Sequence, residues 1–154
     1  MKHNILGEIK RTEGDVIDGV ATIRYGSRDV KIQIIPDDQP FETTLKLAAE
    51  VVERLHELDK VAKRVAVTDL RETYNSGWNE YDEAQADGSL KSVSNPPLSE
   101  AEFEKEFSLN AVNVTGNQMI DFFYDDSGMF WGHSVAVNSL NGIDFSKARA
   151  ELFG

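Results

Sequence analysis

The chain has 154 residues with 27 acidic against 16 basic side chains, a formal net charge of −11, and no cysteine. The missing thiols exclude disulfides, thiolate metal sites and cysteine nucleophiles. The sign of the charge opposes nucleic acid and anionic membrane surfaces, and it favours solubility or a basic partner.

A single domain over 1–154 is expected, because a chain of about 150 residues buries enough surface for its own core. The opening stretch MKHNILGEIKRTEG has no apolar run of signal-peptide length, and no window is apolar enough to span a membrane. A cytoplasmic location is therefore the expectation.

Three strands open the chain. NILGEIKR is the first, DGVATIRYG the second and RDVKIQII the third, with Val30, Ile32 and Ile34 on one face. Gly26 and Ser27 sit between two alternating runs and mark a short hairpin. PDDQP stops the third strand; Asp38 is read as the cap of a first helix and Pro40 as part of its first turn. From Phe41 the apolar residues Leu45, Ala48, Val52, Leu55 and Leu58 keep helical spacing. A second helix is expected from Asp59, with Ala62, Ala66 and Leu70 in line, ending near Gly77. Lys60, Lys63 and Arg64 on it read as a solvated face.

Residues 79–95, NEYDEAQADGSLKSVSN, are polar and aperiodic and are expected to form a long surface loop. Ser99 and Glu102 have capping-box spacing and start a short helix. Three more strands follow, over SLNAVNV, QMIDFFYDD and MFWGHSVAV, and DFSKARAELFG reads as a closing helix with Ala148 and Leu152 four apart. The order βββ-αα-α-βββ-α predicts an α+β fold. Its sheet has about six mostly antiparallel strands, the two strand groups joined, with helices packed on one face.

Chemistry-bearing residues concentrate in DFFYDDSGMFWGHSVAV. If Met129–Val137 is a strand, His133 shares a face with Trp131 and Val135. It is then either a half-buried histidine bonded to a carbonyl or an acid, or a general base or metal ligand. Asp125 and Asp126 either serve the turn before Gly128, as Asp commonly does, or bind a cation with His133. Asp37 and Asp38 form a second acidic pair, and a metal site would need the two pairs to meet. His3 and His56 have no partner suggested by spacing. Trp78 is expected to tuck into the core; Tyr81 is left open between that role and an exposed recognition surface.

LSEAEFEKEFSLNAVNV and FFYDDSGMFWGHSVAV, with a looser match at KARAELFG, resemble a bacterial family of unknown function, number twenty-two sixty-two among the DUF families. The resemblance implies a bacterial, cytosolic α+β domain and supplies no activity. It also carries an association with toxin–immunity gene neighbourhoods.

No P-loop, G-x-S-x-G, dinucleotide fingerprint or H-E-x-x-H motif occurs, and no cofactor is expected. The reading leans away from an enzyme. It favours a non-catalytic, acidic protein-binding domain, immunity-type against a basic toxin, with Asp125, Asp126, Trp131 and Tyr81 as binding candidates. The alternative is a metal-dependent hydrolase or small-molecule site at the 125–133 hairpin, with Asp125, Asp126 and His133 as ligands or base and Trp131 walling a pocket. A homo-oligomer through an open edge strand is a third expectation.

Overall fold

Val30, Ile32 and Ile34 decide the centre of the sheet: all three are fully buried, while Lys31 on the opposite face is exposed. A computed structural model describes residues 1–154. The chain runs through β1 (Lys2–His3), β2 (Gly7–Arg11), β3 (Gly19–Tyr25), β4 (Arg28–Ile35), α1 (Phe41–Glu53), α2 (Leu55–Thr73), β5 (Glu80–Ala84), β6 (Leu90–Ser94), α3 (Glu100–Lys105), β7 (Ser108–Thr115), β8 (Met119–Asp125), β9 (Ser134–Ser139) and β10 (Arg149–Phe153). Eight strands form one sheet in the order β1-β2-β3-β4-β7-β8-β9-β10, and β5 pairs with β6 separately. The fold is α+β with a mostly antiparallel sheet.

The two strand groups join as expected. β4 and β7 pair in parallel, with Ile32 opposite Val112 and Ile34 opposite Val114; the other ladders are antiparallel. A parallel step needs a long crossover, and α1 to α3 supply it. The inward faces of β4, β7, β8 and β9 merge with the apolar sides of the helices into one core, including Val112, Val114, Ile120, Phe122, Val135 and Val137. At the expected capping box, Ser99 Oγ accepts from Glu102 N–H and the Glu102 carboxylate accepts from Ser99 N–H. No helix is long and apolar enough to cross a membrane.

Several expectations are corrected. The short β1 adds a strand ahead of the expected first one. Pro40, not Asp38, occupies the N-cap of α1, and no side chain caps it. The second helix begins at Leu55 rather than Asp59, so α1 and α2 meet at a kink at Arg54. Residues 79–95 hold the β5–β6 hairpin instead of a long loop. Apart from half-buried Val93 its residues are exposed, so hydrophobic alternation could not reveal it. Its stabilising contacts are polar: Ser92 Oγ donates to Asp82, and Asp87 accepts from the Ser89 amide and hydroxyl beside Gly88.

The tail is a strand, not a helix: β10 pairs along β9, Ala150 opposite Val137 and Leu152 opposite Val135. A spacing of four also satisfies a strand period of two, and Ala148, Ala150 and Leu152 all turn toward the core. At this sheet edge the Ala150 N–H donates to the Asp69 carboxylate at 2.9 Å, which blunts one open edge position.

Candidate functional site

The last expected strand is the correction with functional weight. Only Val135–Ser139 pairs with β8; residues 126–133 form a chain of turns. Asp126 causes it. This carboxylate is only 5 % exposed, and its oxygens accept from Gly128 N–H at 3.0 Å and Phe130 N–H at 3.3 Å. Three backbone bonds continue the coil, from Met129 to Asp126, from Trp131 to Gly128 and from His133 to Phe130. Ser127 (φ 58), Gly128 (φ 80), Trp131 (φ 56) and Gly132 (φ 88) adopt left-handed backbone, which a ladder cannot include.

Asp126→Ala removes both acceptors and leaves the buried Phe130 amide unmet, so a loss of about 1–3 kcal/mol is expected. The tryptophan emission should shift as the loop loosens, and thermal melts with fluorescence check both effects.

The coil drives Phe130 inward and Trp131 outward. Phe130 is fully buried, with ring centroids 5.8 Å from Tyr74, 5.4 Å from Trp78 and 6.4 Å from Phe103. Trp131 is 54 % exposed, yet it is held: its ring centroid lies 4.5 Å from Trp78, and its indole N–H donates to the Trp78 carbonyl at 3.1 Å. Tyr81, on the β5–β6 hairpin, closes in at 6.5 Å from Trp131.

The far side of the site is built from the end of α2. A wide turn over Tyr74–Trp78, closed by Asn79 N–H donating to the Tyr74 carbonyl, swings Trp78 toward the loop. Buried Asn79 then pins the base of the hairpin, its amide donating to the Asn95 carbonyl at 2.9 Å. Asn75 exchanges two bonds with the Leu98 backbone and fixes the 95–98 segment. Between these walls lies a recess of about 550 Å³ lined by Tyr74, Trp78, Tyr81, Glu106, Met129 and Trp131, with Asn95, Pro96, Leu98, Ser127 and Gly128 completing the rim. That volume falls in the range of small-ligand sites.

Glu106 is the one charged residue of the lining. It is half-buried, and the ion pairs of this region, Arg28–Asp125, Arg64–Glu100 and Arg64–Glu104, all pass it by. Tyr74 is only 5 % exposed. Burial, then the charge of nearby Glu106, pushes its hydroxyl above the ordinary tyrosine range.

The sequence candidates therefore separate. Trp131 and Tyr81 meet in the recess, and Trp78 joins them as a bridge between recess and core rather than as a core plug. Asp126 is part of the scaffold. Asp125 is exposed, accepts from Ser127 N–H and lies 3.7 Å from Arg28. His133 is exposed rather than half-buried on a strand face, with its ring edge-on to Trp78 at 5.6 Å.

No three His, Asp or Glu side chains converge as a metal-ion site. The two acidic pairs do not meet: Asp37 follows β4 at the end of the strands where β8 begins, whereas Asp125 ends β8 at their opposite end. On α2, Lys63 pairs with Asp59 and Arg64 with Glu100 and Glu104, while Lys60 of the same patch is exposed. His3, which spacing left without a partner, uses Nδ1 to accept from the Ile5 and Leu6 amides.

Glu106 and Tyr74 are the members that sequence reading missed. Glu106 stood in an acidic helix with nothing to distinguish it, and Tyr74 stood in the stretch that marks the end of the second helix.

No curated protein and no solved structure matches the chain. The family model described as "Uncharacterized protein conserved in bacteria (DUF2262)" matches residues 3–148, which take in β2 to β9, the helices and the whole recess, and the chain belongs to that family.

Proposed function

We propose that this protein is a non-catalytic, acidic protein-binding domain of the bacterial cytoplasm. It docks a basic partner through the face around the aromatic recess, and the finer reading is an immunity-type role against a basic toxin. The observation that carries the proposal is Trp131. A large indole stays more than half exposed on a backbone of φ 56, its N–H already satisfied and its ring supported by Trp78. Left-handed backbone is unfavourable for such a residue, and strain of this kind concentrates at functional sites. An exposed, preorganised tryptophan is also what binding hot spots use.

The net charge of −11 supports a basic partner, because complementary fields speed encounter. The test is calorimetric titration against the purified basic proteins encoded beside this gene, at low and at physiological salt. Binding that weakens with salt and is lost in Trp131→Ala is expected. Absence of binding to every one of them, at both salt levels, would overturn the proposal.

A further inference from the structure

Resting on that reading, we infer that the recess accepts the guanidinium of an arginine side chain from the basic partner. Four aromatic rings, those of Tyr74, Trp78, Tyr81 and Trp131, line it together with a single carboxylate, Glu106. Trp131 and Trp78 lie 4.5 Å apart with ring planes at 49°, and Tyr81 is tilted by 67° to Trp131. The rings are thus inclined to one another around the recess they line. A cation over the face of an aromatic ring is attracted by its quadrupole, most strongly for tryptophan.

A neutral apolar ligand would leave two groups unmet. The first is the Glu106 carboxylate, half-buried and without an ion-pair partner in the chain. The second is the hydroxyl of Tyr74, which lines the recess, makes no hydrogen bond within the protein and keeps contact with the solvent of the recess. An acidic ligand would meet the carboxylate with like charge.

Arginine fits this set better than lysine. Its planar guanidinium stacks on flat indole faces and still presents N–H groups in its own plane to a carboxylate, whereas ammonium is a compact, strongly hydrated charge. Met129, also in the lining, gives the alkyl stem an adaptable apolar contact. The recess is also preorganised. Asp126 fixes the loop that carries Trp131, and Asn79 and Asn75 fix the opposite wall, so little ordering is left for binding to bring about.

The experiment compares a short arginine-containing peptide with the same peptide carrying citrulline, an uncharged isostere of arginine, by calorimetry on the full chain. The arginine peptide should bind at least about tenfold more tightly. Trp131→Ala and Glu106→Gln should each weaken it by about tenfold. Both substitutions lie at exposed or half-buried positions, and Glu106→Gln preserves shape, so a folded variant remains for the comparison. Equal binding of the citrulline peptide, or full binding by both variants, overturns the arginine cage. If the arginine peptide then still binds elsewhere on the acidic surface, the wider reading of a basic-partner domain survives. If no basic peptide binds even at low salt, both readings fall.

Discussion

Phe130→Ala is expected to destabilise the protein by about 3–5 kcal/mol, the usual range for removing a buried phenylalanine ring. Phe130 is fully buried and its ring touches those of Tyr74, Trp78 and Phe103, so one substitution opens a cavity where α2, α3 and the 126–133 loop meet. The neighbours cannot collapse into the space readily. Trp78 is held from above by Trp131, and Phe103 is wedged at 5.0 Å against Phe107. Denaturant unfolding measures the loss. Phe130→Leu should recover more than half of it, because most of the volume returns. A loss below about 1 kcal/mol for Phe130→Ala would mean that the loop is not anchored through this ring.

Asp59→Ala is expected to cost about 3 kcal/mol, since removing one member of a buried polar network leaves its partners unmet. Asp59 is 4 % exposed on α2. It accepts from Tyr124 Oη at 2.6 Å and Tyr25 Oη at 2.9 Å, and it pairs with Lys63 at 3.3 Å. These contacts fasten α2 to β8 and to the end of β3.

Burial is the main cause that raises both tyrosine hydroxyls above their ordinary range, with the Asp59 charge and hydrogen bonds adding to it. A raised value in the folded state means that the folded protein keeps protons which the unfolded chain has released. This stabilisation is complete below about pH 10, the ordinary tyrosine value, and is lost as pH climbs above it. Alkaline titration followed by tyrosinate absorbance should show Tyr25 and Tyr124 ionising only together with unfolding. In Asp59→Ala the alkaline loss of stability should be shallower. A double-mutant cycle with Tyr124→Phe isolates the Tyr124–Asp59 coupling.

What the sequence disclosed, and what it concealed, follows from where burial imposes a period. Val30, Ile32 and Ile34, and Ile120, Phe122 and Tyr124, alternate because one side of each strand meets the core. Their faces were legible for that reason, as was the Ser99–Glu102 cap, whose chemistry is local. The β5–β6 hairpin was illegible through periodicity because nearly all of its residues are exposed, although Asp87-Gly88 is a hairpin dipeptide.

Met129, Trp131 and His133 imitate a strand face through their spacing of two. The deciding signals were the glycines at 128 and 132 and the Asp126 carboxylate, which accepts from amides that a strand would have paired. Only the aromatic half of the recess could be suspected in advance. Tyr81 and Trp131 lie fifty residues apart, and nothing in local sequence says that the wide turn at Tyr74–Trp78 will bring them to one place or set Glu106 beside them.

The face that meets a partner can be read directly from nuclear magnetic resonance. The isotope-labelled protein is titrated with the arginine-containing peptide, and backbone and indole shifts are followed. The account requires the largest changes at the Trp131 and Trp78 indoles, with Tyr81 and Glu106 next. Large changes confined to the open side of the sheet around Phe123 and Phe153, with both indoles unmoved, would contradict it.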